Sequence, residues 1–160
     1  QMNNGDYIRV PIILLGSLIV GSCGGGATVD AEQTGIPGLS VENARLVLPP
    51  IQGNPGAVYF DLAYEGERAL SIRKAEVTGA VETQIHAYGE WEGQLQMAEA
   101  MPIPIRKGVK IQFKPGEYHL MVFGLEEGIG PDETIEVTLT ASGGGRHSFD
   151  ADIREAGDSR

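Results

Sequence analysis

The sequence is poor in cysteine, in histidine and in basic residues. One cysteine among 160 residues, Cys23, cannot build an intramolecular disulfide framework or a multi-cysteine zinc site. Only 12 Lys and Arg stand against 22 Asp and Glu, which gives a formal net charge of -10. Proteins that bind nucleic acid concentrate Lys and Arg on one face, so we expect no nucleic-acid partner. A metal site in this chain has to use His, Met, Asp or Glu.

The sequence also lacks a long apolar run, because its only strongly apolar stretch is the 11 residues Val10–Val20. A helix needs roughly 20 residues to cross a bilayer, and a shorter run behind Arg9 is typical of a signal-peptide core. The tetrad Val20-Gly21-Ser22-Cys23 resembles a bacterial lipoprotein cleavage site, after which Cys23 would carry the lipid. Residues 1–22 are therefore predicted to be a lipoprotein signal peptide, with a plain secretory signal or an apolar domain helix as alternatives. The mature protein is expected in the periplasm, anchored to an inner or outer membrane.

The rest of the chain is predicted to hold a single all-β domain. Residues 23–43 are glycine-rich, polar and aperiodic after the cysteine, which favours a flexible tether. Residues 44–153 alternate short β-prone runs with turn formers, as in a sandwich or barrel, and no segment has an apolar stripe of helical length. Residues 154–160 form a short polar tail. The predicted strands are Ala44–Leu48, Ala57–Ala63, Leu70–Val77, Glu82–Tyr88, Gly93–Met97, Val109–Phe113, Tyr118–Leu125, Thr134–Ala141 and His147–Ile153.

Two of the three histidines lie at defined intervals from two methionines. His119 and Met121 are two residues apart on a predicted strand, so both side chains emerge on one face. His86 is followed after ten residues by Met97, and Met97 after twenty-one residues by His119. Thioether sulfur favours Cu(I), whereas imidazole accepts Cu(I), Cu(II) or zinc. Two His and two Met therefore favour monovalent copper, and hydrogen-bonded strand histidines with core-filling methionines are the simpler alternative.

These intervals and their flanking residues resemble a known family, the periplasmic copper chaperones of the PCuAC type. The pattern H-x10-M-x21-H-x-M and the stretch Lys114–Met121 followed by Gly124-Leu125 carry the resemblance, which covers about Ala44 to Ile153. It implies a cupredoxin-like or Ig-like Greek-key β-sandwich that binds Cu(I). The implied ligands are His86, Met97, His119 and Met121. Met101 is an alternative sulfur ligand, although a residue entering the Pro102-Ile103-Pro104 turn is the simpler interpretation.

The resemblance implies a copper carrier, not an enzyme. The implied acceptor is the copper centre of a respiratory cytochrome oxidase, reached directly or through a thiol-bearing assembly protein. A blue-copper electron-transfer protein needs a cysteine ligand, and the predicted domain contains no cysteine. A metal-free structural β-sandwich lipoprotein and a copper storage or resistance protein are the alternatives.

Overall fold

The structure, a computed structural model, describes residues 35–100 and 102–157, with no description of the Trp91 side chain. The predictions for the signal peptide, Cys23 and Met101 lie outside the described residues. Within these two ranges no helix is long and apolar enough to span a bilayer. The described strands are β1 (Leu39–Val47), β2 (Gly56–Tyr64), β3 (Leu70–Val77), β4 (Ala80–Trp91), β5 (Gln94–Glu99), β6 (Ile103–Ile105), β7 (Val109–Phe113), β8 (His119–Leu125), β9 (Thr134–Ala141) and β10 (Arg146–Arg154).

The strands form one hydrogen-bonded path that folds back on itself as a sandwich. Its order is β5-β4-β8-β2-β1-β10-β9-β3-β6, and β7 pairs with β2 beside this path. β3 leads into β4 through Thr78-Gly79, yet β3 pairs with β9 and β4 pairs with β8, so the chain changes layer there. β1 joins the layers because it is antiparallel to β2 and parallel to β10. The predicted all-β sandwich is confirmed.

The core follows from the two-residue period of the strands. Every second residue of β2 from Val58 to Tyr64 is buried, because successive side chains point to opposite faces of a strand. Phe60 stacks on Phe113 of β7 with ring centroids 4.1 Å apart. Burying such a side chain contributes about 1.5–3 kcal/mol. Where one face of a strand packs in the core, the other face points outward, and the candidate ligands lie on outward faces.

Several predicted strand ends were off by one to five residues, and the two largest errors, the start of β1 and the absence of β6, lie next to proline or glycine. The domain begins before Ala44, because β1 starts at Leu39 and the side chain of Ile36 is buried as well. The region predicted as a proline turn contains β6, whose two isoleucines are buried. Pro104 at its centre has no N–H to donate, and β6 lies at the end of the strand path, where proline is tolerated.

Candidate metal centre

The β4–β5 hairpin determines the spacing between the first two predicted ligands. Trp91 pairs with Gln94 across the turn Glu92-Gly93, in which both residues have positive φ, 51° and 76°. Such φ values are typical of a two-residue type I′ turn. The resulting register places Met97 opposite Tyr88, on the same face as His86. The ten-residue interval between His86 and Met97 is thus the distance along the chain around a tight hairpin.

β8 supplies the other two predicted ligands from the other side of β4. His119 lies directly opposite His86, with ring centroids 5.9 Å apart. Met121 lies on the same face two residues further along β8, opposite Gln84. Leu120 between them points into the core and is fully buried. The structure therefore places all four predicted ligands on one outward face of three neighbouring strands.

A close contact among the four predicted ligands joins His119 to Met97. His119 Nδ1–H donates to the carbonyl oxygen of Glu117 at 2.9 Å, and in the neutral form of the ring this leaves Nε2 with its lone pair. That Nε2 lies 3.2 Å from the thioether sulfur of Met97. A thioether carries no hydrogen to donate, so two electron-pair donors face each other. The arrangement suits a soft cation, and a backbone carbonyl that fixes the other ring nitrogen is usual for a metal-binding histidine.

A short side-chain relay orients His86 in the same way. Gln84 donates through its amide nitrogen to Glu82 at 2.7 Å, so its amide oxygen accepts from His86 Nε2–H at 2.8 Å. His86 Nδ1 is then left with a lone pair, buried and without a hydrogen-bond partner. Burial, and secondarily His119, lower the pKa of His86 below its ordinary value of 6.5, while Glu99 opposes this shift. His86 is therefore a neutral imidazole with a free donor atom at neutral pH.

Two tyrosines lie beside His119 and an arginine lies over one of them, and the local sequence pattern singled out none of the three. The rings of Tyr88 and Tyr59 lie 6.1 and 6.4 Å from the His119 ring, centroid to centroid. The guanidinium of Arg45 lies 5.2 Å from the centroid of the Tyr59 ring, a cation–π contact. Tyr88 is two residues from His86 on β4, so the alternation of side chains could have placed both on one face. Tyr59 and Arg45 come from β2 and β1, whose pairing the local sequence does not reveal.

The candidate ligands are more accessible to solvent on the β5 side than on the β8 side. His119 is 5% exposed, whereas Met97 and Tyr88 are each 45% exposed. The third histidine, His147, lies on β10 opposite Leu139 and belongs to the other layer. It is half-buried, and burial lowers its pKa.

Comparison with known proteins finds one family and several solved domains. Residues 39–153 match the model of the family described as "Putative lipoprotein LpqE-like". The fold is similar to the apo PCuAC domain from PmoF1, at 20% identity and a TM-score of 0.63, over 75% of this chain and 96% of that one. It is also similar to the copper-bound PCuAC domain from PmoF2, at 14% identity and a TM-score of 0.60, over 75% of this chain and 95% of that one. CuI-DR1885 from Deinococcus radiodurans is similar at 20% identity and a TM-score of 0.58, over 84% of this chain and 89% of that one.

No curated protein matches the chain. The likeness to these solved domains shows that the chain has the fold of a PCuAC domain. The resemblance expected from the spacing of His and Met is confirmed.

Proposed function

Because the chain belongs to the family described as "Putative lipoprotein LpqE-like" and has the fold of a PCuAC domain, we propose that it is a copper carrier that works outside the cytoplasm. In this proposal it binds one Cu(I) through His86, Met97, His119 and Met121 and passes the ion to an acceptor protein. The acceptor is the copper centre of a respiratory cytochrome oxidase or its thiol-bearing assembly factor. The protein catalyses no reaction, and Cu(I) is its cargo.

The contact between His119 Nε2 and the Met97 sulfur carries this proposal, at 3.2 Å. A nitrogen and a sulfur lone pair at this distance repel each other unless a proton or a metal ion lies between them. The buried Nδ1 of His86 supplies a further donor atom on the same face. Neutral nitrogen and thioether donors favour Cu(I) over harder ions such as Ca²⁺ or Mg²⁺. This donor set is the reason for preferring copper over a metal-free structural role.

Neutral ligands also explain how the ion would leave. Cysteine thiolate is a stronger ligand for soft metals than imidazole or thioether, and it brings a negative charge. An acceptor with two cysteines can therefore replace the ligands of this site one at a time. The half-exposed Met97 is the ligand that such a thiol reaches first.

We further propose that Cys23 carries a lipid anchor, which is consistent with the family description and with the apolar run before it. The Cys23→Ser variant should be released from membranes into the soluble fraction. Continued membrane association of this variant would contradict the proposal.

Titration of the purified protein with Cu(I) against a competing chelator, under reducing conditions, tests the copper site. We expect uptake of one equivalent, which is lost in His119→Ala. The matched control is His147→Ala, because His147 lies in the other layer of the sandwich and should leave uptake unchanged. No uptake beyond the chelator's competition would overturn the proposal, and so would equal losses in both variants.

A further inference from the structure

The hairpin beside the candidate ligands has a distinctive surface. β5 is exposed along its whole length and ends the strand path of the described chain. Leu95 is 77% exposed and lies on the same face as Met97 and Tyr88, which are 45% exposed. Together these three side chains form the hairpin patch. Exposed apolar side chains on an edge strand beside a candidate metal centre are a common feature of surfaces that bind a partner protein.

Acidic residues surround the hairpin patch. From Ala80 to Glu99 the chain carries four Glu and no Lys or Arg. Glu90 lies opposite Leu95 and Glu99 lies opposite His86, so both carboxylates are on the face of the patch. Glu92 occupies the turn at the tip, two residues along the chain from Glu90. The stretch that forms the hairpin therefore carries negative charge with no basic residue of its own to offset it.

The exposure of the candidate ligands gives the direction from which an acceptor must approach. His119 is buried beside Tyr59 of β2, while Met97 is half-exposed to solvent. Ligand exchange requires the incoming sulfur to reach the metal, and the route to it passes over Met97. The surface that an acceptor covers during transfer is then the hairpin patch and its acidic rim.

We propose that the hairpin patch is the docking surface for the copper acceptor, and that the acceptor presents an apolar centre ringed by Lys or Arg around its thiols. This inference rests on the proposed function. Leu95 contributes buried apolar area, and the two carboxylates near the tip, Glu90 and Glu92, steer the basic rim. Electrostatic steering of this kind raises association rates by about 10- to 1000-fold at low ionic strength.

Cu(I) transfer to a defined probe tests the docking surface. The probe is a synthetic peptide with one Cys-x-x-Cys motif, adjacent leucines and terminal lysines, and its partner probe has glutamates in place of the lysines. The full chain is first loaded with one equivalent of Cu(I), so that failure to bind copper is recorded separately as failure of the proposed function. The transfer rate is then measured by stopped flow at low and high salt.

Charge variants of the protein separate local steering from net charge. Glu90→Lys/Glu92→Lys and the control Glu126→Lys/Glu127→Lys change the net charge equally, and the control pair follows the far end of β8, about 20 Å of strand from His119. The hairpin variant should transfer about tenfold more slowly to the lysine peptide at low salt, and the control less than about twofold. The wild-type preference for the lysine peptide should shrink at high salt. Equal slowing in both variants, or no preference in the wild type, would overturn the proposal.

A second pair of variants tests the apolar centre. Leu95→Ser should slow transfer to the lysine peptide about threefold or more and leave the Cu(I) affinity unchanged. Val81→Ser is the matched control, because Val81 is 86% exposed but lies at the start of β4, away from the ligands. Equal transfer rates for these two variants would show that Leu95 takes no part in docking.

Discussion

Replacing Met97 with leucine separates a copper ligand from a packing residue. Leucine keeps the apolar volume and removes the sulfur, which lies 3.2 Å from His119 Nε2. Because Met97 is 45% exposed on an edge strand, we expect the substitution to change the free energy of unfolding of the protein by no more than about 0.5 kcal/mol. Removing a residue that hydrogen-bonds to a metal ligand typically lowers metal affinity about 10- to 100-fold, and removing the ligand itself should lower it by at least as much. The Cu(I) dissociation constant should therefore rise by at least about tenfold, or about 1.4 kcal/mol.

Chelator competition measures the affinity, and urea denaturation without metal measures the stability of Met97→Leu. Gln96→Leu is the matched control, because its side chain lies on the other face of β5 and should change neither quantity. An unchanged Cu(I) affinity in Met97→Leu would refute the assignment of this sulfur as a ligand. A loss of several kcal/mol in stability would show that the residue has a structural role instead.

Three further predictions concern the fold and the buried histidines. His119→Ala should lower the free energy of unfolding by about 1–3 kcal/mol even without copper, because the variant loses the packing of a buried side chain and its part-buried hydrogen bond to Glu117, and an unchanged urea midpoint would contradict this. Gly38→Ala should be clearly less stable than Gly53→Ala, although both glycines have positive φ, because a Cβ at Gly38 would collide with the backbone nitrogen of Gly66, whereas a Cβ at Gly53 would meet no atom. Equal urea midpoints for these two variants would show that the close approach is unimportant. Burial lowers the pKa of His147 below 6.5, so the unfolded state binds its proton more readily and stability should rise as the pH increases through 6.5. His147→Gln should reduce this rise, measured as the difference in stability between about pH 5 and about pH 8, and an equal rise would exclude His147 as its source.

Most of the fold followed from local pattern, and the exceptions have local causes. The strand Thr134–Ala141 was predicted with its observed bounds, because Ile135, Val137 and Leu139 alternate with polar residues. β6 was missed because proline at its centre is a turn signal unless the strand lies at an edge. The start of β1 was missed because a glycine and proline stretch precedes it.

The candidate site was predictable as a set of residues and not as an arrangement. The spacing singled out His86 and His119, and the structure pairs them directly across two strands. The contact between His119 and Met97 depends on the turn at Glu92-Gly93, where a non-glycine residue has positive φ. Predicted strands that ended at Tyr88 and began at Gly93 left this turn undefined. The orientation of each imidazole depends on Glu117 and Gln84, which no spacing rule identifies.

X-ray absorption spectroscopy of the Cu(I)-loaded protein tests the central claim most directly. In a Cys23→Ser background every sulfur in the chain belongs to methionine, so a sulfur shell around copper identifies thioether ligands without ambiguity. The account predicts a mixed first shell of sulfur and imidazole nitrogen, whose sulfur component decreases in Met97→Leu. A shell of nitrogen and oxygen alone would contradict the account.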